Sequence, residues 1–138
     1  MTTAADLMNP GAQWIPATES LDRAAQLMRE LDVGALPVSD PNERLCGIIT
    51  DRDIVVRCVA AGRDPGKTTA GDLCEGTPRW ISSVAGVDDV LAEMESHQIR
   101  RLPVIDENKR LVGMISEADL ARTLTDDQLA EFVERVYA

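Results

Sequence analysis

Val33-Gly-Ala-Leu-Pro-Val-Ser-Asp-Pro-Asn-Glu-Arg-Leu-Cys-Gly-Ile-Ile-Thr-Asp-Arg-Asp53 and Ile99-Arg-Arg-Leu-Pro-Val-Ile-Asp-Glu-Asn-Lys-Arg-Leu-Val-Gly-Met-Ile-Ser-Glu-Ala-Asp119 align without a gap when the sequence is slid against itself by 66 positions. The register extends upstream. Thr3-Ala-Ala-Asp-Leu meets Thr69-Ala-Gly-Asp-Leu, Trp14-Ile15 meets Trp80-Ile81, and Met28 meets Met94. A period this long exceeds that of solenoid repeats and marks a duplicated small domain. A copy of about 60 residues is marginally stable alone, so the two copies are expected to pack on each other through an apolar face and leave clefts along the seam.

Periodicity gives each copy the same elements. Leu21, Ala24, Ala25, Met28 and Leu31 form a helical stripe within 20–31, and Val87, Val90, Leu91 and Met94 form its counterpart. Ala35–Ser39 and Leu45–Ile49 flank Asp40-Pro-Asn-Glu, and Leu102–Ile105 and Leu111–Ile115 flank Asp106-Glu-Asn-Lys, so each pair reads as a hairpin. A further helix starts at Thr50 and stops near Gly62, with its counterpart starting at Ser116. The predicted order is short helix, strand, helix, strand, strand, helix, twice over. The expected boundaries are 1–62 and 69–124 for the copies, 63–68 for a linker rich in turn residues, and 125–138 for a tail. In that tail Leu129, Phe132, Val133 and Val136 recur at helical spacing, a stripe that either packs on its own chain or meets a partner.

The 138 residues are 44% hydrophobic, 28% charged and 3% aromatic, an ordinary globular composition with an aliphatic core. Six basic residues face ten acidic ones in 1–66, and eight face fourteen in 67–138. Acidic surfaces repel nucleic-acid backbone, so no nucleic-acid partner is expected. No apolar run approaches the length that spans a bilayer and the start has no leader-like pattern, so a cytoplasmic protein without a membrane partner is expected. Cys46, Cys58 and Cys74 stand in unrelated contexts with no Cys-x-x-Cys, beside a single histidine, His97. They read as reduced structural thiols and not as zinc ligands.

Chemistry concentrates where each second hairpin strand feeds a helix, at Gly47-Ile-Ile-Thr50-Asp-Arg-Asp53 and Gly113-Met-Ile-Ser116-Glu-Ala-Asp119. Free N–H groups at a helix start attract an anion, and an acid three residues on can accept hydrogen bonds from a vicinal diol such as ribose. A glycine three residues before the hydroxyl would let a ligand approach the backbone. The same spacing is also a helix-capping box, as at Thr3 to Asp6, Thr69 to Asp72 and Thr125 to Gln128. Both readings stand at this point.

The tandem Leu-Pro-Val, Leu-x-Gly-hydrophobic-Ile and Thr/Ser-x-x-Asp-Ile/Leu resembles a pair of CBS (cystathionine β-synthase) domains, the unit called a Bateman module, from about Thr3 to Leu124. The resemblance implies an α/β (α+β) fold of two pseudo-twofold-related domains, each β-α-β-β-α after a short helix. It implies adenosine-containing ligands in two clefts between the copies, and a homodimer. Carried over, Asp53 and Asp119 match the ribose-binding acid, and Thr50 and Ser116 match the hydroxyl beside ribose and phosphate. Arg100 and Arg101 stand where nucleotide-binding relatives place phosphate-binding cations; Gly34 and Ala35 occupy those positions in the first copy. The clefts should therefore be unequal, with that of Ser116, Asp119 and the arginine pair the better phosphate site.

The arginines read equally as solvated partners of nearby acids such as Glu95. Trp14 and Trp80, placed in the first strand of each copy, read as core or as ligand wall. His97 reads as a surface or helix-end residue. No nucleophile–base pair is visible, so no enzyme is expected. The expected function is a regulatory protein that senses AMP, ADP or ATP, requires no cofactor, and is read by a protein partner. The alternative is an interaction module whose motifs are only caps.

Overall fold

The computed structural model describes residues 1–10, 13–75 and 78–137. Its elements follow the predicted order. The first copy supplies α1 (Ala4–Leu7), β1 (Ile15–Pro16), α2 (Leu21–Leu31), β2 (Ala35–Ser39), β3 (Leu45–Thr50) and α3 (Asp51–Asp53), which continues as a π-helix over Ile54–Val59. The second supplies α4 (Ala70–Leu73), β4 (Ile81–Ser82), α5 (Val87–Ser96), β5 (Arg101–Ile105), β6 (Leu111–Ser116) and α6 (Glu117–Thr123), followed by α7 (Asp126–Val136). No helix among the described residues is long and apolar enough to cross a membrane.

Each copy builds a three-stranded sheet in which the first strand runs parallel to the second and the second pairs antiparallel with the third. A parallel pair needs a crossover, and α2 and α5 provide it. Ser20 caps α2 by accepting from the Arg23 amide at 3.2 Å, and the helix ends where Asp32 turns left-handed at φ 55°. Gln98, its repeat partner, turns likewise at φ 50°. The buried stripe of α2 is narrower than the periodicity suggests: Leu21, Ala24 and Met28 are buried, Leu27 is half-buried, and Ala25 and Leu31 are exposed. In each hairpin turn an aspartate accepts from two amides ahead of it, Asp40 from Asn42 and Arg44, Asp106 from Asn108 and Arg110. Both hairpins carry a bulge, which leaves Cys46 as an extra residue in β3 and Val112 as one in β6.

The chain divides into two compact units that cut across the repeat boundaries. Unit I is Gln13–Pro78, and unit II joins Met1–Ala12 to Arg79–Ala138. The sequence reading grouped each short helix with the copy it precedes in the chain. In the fold α1 belongs to unit II, where the Ala4 amide donates to Ala85 O at 2.8 Å and the Ala5 amide to Ser83 O at 3.0 Å. Its repeat partner α4 belongs to unit I, with Ala70 donating to Glu19 O and Gly71 to Ala17 O, each at 2.8 Å. The physical cause is burial. Ala4 and Leu7 enter the core of unit II with Val90, Met94, Leu102 and Ile115, whereas Ala70 and Leu73 enter the core of unit I with Leu21, Leu36, Val38 and Ile49.

The tail helix resolves in favour of its own chain. Phe132 and Val136 of α7 are buried in the core of unit II, and Arg135 pairs with Glu95 of α5 at 3.3 Å. Burying a phenylalanine contributes about 1.5 to 3 kcal/mol, so α7 is part of the unit and not an appendage.

Candidate functional site

Strand register collects the candidate residues at one end of each sheet. In unit II Arg101, at the start of β5, lies directly opposite Ser116, at the end of β6. Because β4 is parallel to β5, with Ile81 opposite Val104, Trp80 enters its strand from the side of the sheet on which β5 begins. In unit I the corresponding residues are Ala35, opposite Thr50, with Trp14 entering β1. Both tryptophans precede their strands instead of lying within them. They are 40% and 50% exposed, so they are not core residues. An indole this exposed offers a face for stacking.

The hydroxyl–acid pairs are closed capping boxes. The Thr50 amide donates to Asp53 Oδ2 at 2.8 Å while the Asp53 amide donates to Thr50 Oγ1 at 3.1 Å. Ser116 and Asp119 repeat the pattern at 2.9 and 3.4 Å, and Thr3, Thr69 and Thr125 cap their helices with Asp6, Asp72 and Gln128. Capping engages one carboxylate oxygen, and the two sites differ in the other. Asp53 Oδ1 lies 3.8 Å from Arg57, with the side chain 28% exposed. Asp119 is buried, and its Oδ1 accepts directly from Arg122, itself a largely exposed side chain.

The two arginines separate. Arg100 donates to the Tyr137 hydroxyl at 3.4 Å and lies over the ring at 5.6 Å, and that hydrogen bond raises its pKa further above the usual guanidinium value. Glu95, named as a neutralising partner, is taken by Arg135. Arg101 is half-buried, and no carboxylate among the described residues pairs with it. His97 caps the end of α5, with its Nε2 3.5 Å from Glu93.

The two glycines have a packing role that the sequence did not suggest. A Cβ on Gly47 would sit 2.8 Å from Cys74 Sγ, and one on Gly113 would sit 2.9 Å from Met8 Cγ and 3.1 Å from Asn9 O. The segment leaving each short helix fills the space at the glycine, so chain packing by itself requires a residue without a side chain there.

The CBS domain family matches residues 4–59 and 70–126. The chain belongs to the CBS-domain family. CBS pairs are regulatory modules. This CBS pair is 46% identical over 136 residues to hypoxic response protein 1 of Mycobacterium tuberculosis, covering 99% of this chain and 94% of that protein. Among solved structures it resembles hypoxic response protein I with two coordinated zinc ions, at 48% identity and TM-score 0.82, covering 90% of this chain and all (100%) of that one. It also resembles the CBS pair of protein MJ0100 in complex with 5-methylthioadenosine and S-adenosyl-L-methionine, at 26% identity and TM-score 0.75, covering 88% of this chain and 98% of that one. Among the described residues of this CBS pair no cluster of three or more His, Cys, Asp or Glu side chains is placed to hold a metal.

Sequence reasoning missed a contact within unit I of this CBS pair. Cys74 Sγ packs against Gly47, the residue that follows Cys46, so the two cysteines are neighbours there. Burial first, and the neighbouring Cys46 second, push the Cys74 thiol up to about 12. The fold makes the same contact in both units: positions 46 and 74 correspond to Val112 and Met8, and Met8 reaches Gly113 as Cys74 reaches Gly47.

Proposed function

We propose that this CBS pair is a non-catalytic regulatory protein that binds an adenosine-containing ribonucleotide, such as AMP, ADP or ATP, at the tryptophan-bearing end of its sheets. The observation that carries the reading is the gathering, at one end of the unit II sheet, of a half-exposed tryptophan, an arginine that no carboxylate among the described residues pairs with, and a hydroxyl–acid cap. The indole stacks adenine, the carboxylate oxygen outside the cap accepts from ribose, and Arg101 with the α6 amides meets phosphate. The likeness to the MJ0100 pair, which carries two adenosyl ligands, supports the adenosine part.

The two units divide these contributions. Unit II holds the cation, but its ligand must displace Arg122 from the buried Asp119, a cost that the ribose hydroxyls offset by donating to the freed carboxylate oxygen. Unit I has Ala35 in place of the arginine and a more accessible Asp53, so it takes the nucleoside without a phosphate contact. Binding shifts the population of conformations, and a protein partner reads the shift. The functional form is a homodimer, a reading supported by the exposed apolar face of the π-helix.

Thermal shift with AMP, ADP, ATP, S-adenosylmethionine and 2′-deoxy-AMP tests this. Ligand at 100 times its Kd adds about 2.7 kcal/mol, a shift of several degrees at this size. The expected result is stabilisation by ribonucleotides, little by the deoxy compound, and loss of the preference for phosphorylated ligands in Arg101→Ala. A second reading, an interaction module with no nucleotide, is favoured by the closed caps at all five hydroxyl positions, three of them away from any strand end. Indifference of the melting temperature to every compound would establish that reading instead.

A further inference from the structure

Unit I holds a pair of thiols that neither the nucleotide reading nor the packing of the fold requires. The bulge in β3 makes Cys46 the extra residue of its strand, and bulges re-aim a side chain. On the other side, α4 docks on β1 through Gly71 and Ala17, and its C-cap residue is Cys74. Cys74 Sγ packs into the space that a side chain on Gly47 would take, 2.8 Å from where its Cβ would sit, which puts it beside the bulged Cys46. Both residues are half-buried, so a small oxidant reaches them, whereas Cys58 is fully buried in the core of unit I. In unit II the same two positions are Val112 and Met8, both packed against the core. Apolar residues therefore satisfy the packing, and the double occurrence of thiols in unit I calls for a chemical reason.

We propose that Cys46 and Cys74 are a redox modification site, joined as a reversible intrachain disulfide when a hydroperoxide oxidises them and released when a dithiol reduces them. Cys46 gives up its thiol proton as its sulfur attacks the terminal oxygen of the hydroperoxide, the O–O bond breaks, and the released alkoxide, or hydroxide from hydrogen peroxide, takes that proton and departs as alcohol or water. Cys46 is then a sulfenic acid. The Cys74 sulfur attacks the Cys46 sulfur, its proton leaves with the sulfenic oxygen as water, and the S–S bond forms. Two thiols lose two electrons and the peroxide gains them. The order follows from the environment of Cys74, whose burial keeps it protonated and makes it the resolving partner. The bond ties the end of α4 to β3, beside the point where Arg57 donates to Leu73 O at 2.8 Å and pairs with Glu75 at 2.6 Å.

The experiment uses the full reduced chain, titrated with hydrogen peroxide, quenched by alkylation and mapped by mass spectrometry without reduction. Trypsin separates the three cysteines into peptides 45–52, 58–63 and 68–79, so the linkage is unambiguous. The expected product is a link between 45–52 and 68–79 within one chain, with Cys58 still alkylated and all three thiols restored by dithiothreitol. Cys46→Val and Cys74→Met, which copy the other unit, should keep the fold and give no link. A link through Cys58, a link between chains, or sulfinic acids accumulating on unjoined Cys46 and Cys74 would overturn the proposal. None of these results depends on nucleotide binding.

Discussion

The Thr69 amide donates to Asp72 Oδ2 at 2.9 Å, and this backbone bond first, with the Thr69 hydroxyl second, holds the Asp72 carboxyl below its ordinary 3.8; Thr3 does the same for Asp6. A carboxyl depressed in the folded state contributes stability that is present above its unfolded pKa and lost as pH falls through the folded value. The melting temperature should therefore fall as pH drops below 3.8, and Asp72→Asn should start lower above that pH and lose less on acidification. Calorimetry between about pH 2 and 6 checks this, and an unchanged acid slope in the variant would remove Asp72 from the account. Cys74 has the opposite sign, because its raised value stabilises the fold below 9.0 and the contribution disappears as pH rises through about 12. At this scale the sequence was readable where partners are close along the chain. Thr50 with Asp53 and Ser116 with Asp119 are three residues apart, and that spacing offered the cap as one of its two readings. Cys46 and Cys74 were not readable, because their contact depends on where α4 docks, which no local pattern encodes.

The helix leaving Thr50 shows what periodicity cannot resolve. A continuous helix to Gly62 was expected, and the chain instead forms one α-turn and then widens, with the Ala60 amide reaching Val55 O at 2.8 Å and the Arg63 amide reaching Cys58 O at 2.9 Å. π-geometry is uncommon and tends to occur at functional positions. Here it lets Ile54 and Cys58 face the core while Val55, Val56 and Val59 remain 58%, 46% and 59% exposed. Three adjacent exposed valines form an apolar face of the kind that marks an interaction surface. The double substitution Val55→Asp, Val59→Asp should convert the proposed homodimer to a monomer in sedimentation velocity without altering far-UV circular dichroism. Retention of the dimer by the variant, or a monomeric wild type, would place the contact elsewhere or remove it. The hairpins, by contrast, were legible almost to the residue, since short alternating runs around an aspartate-led turn admit few other structures.

At the scale of the molecule, the duplication and the CBS likeness were visible in the sequence, while the exchange of short helices was not. A repeat reports which residues are equivalent and says nothing about which copy each one packs against. The exchange follows from two symmetric docking sites, Ala4 on Ala85 and Ala70 on Glu19, and it makes each unit depend on chain that lies before or after its own copy. Removing residues 1–10 deletes part of the first copy, yet it should loosen the second copy's sheet. Unit II loses buried Ala4 and Leu7, and the leucine alone is worth about 1.5 to 3 kcal/mol, together with the Asn9 amide bond to Met114 O at 2.8 Å. Hydrogen exchange followed by mass spectrometry should show faster exchange in β4, β5, β6 and α5, with β1, β2 and β3 keeping their protection. Loss of protection in β1 to β3 alone would mean that α1 belongs to the copy it precedes. Because α1 and α4 are equivalent in the repeat, the same result would also bring the docking of Cys74 beside Cys46 into question.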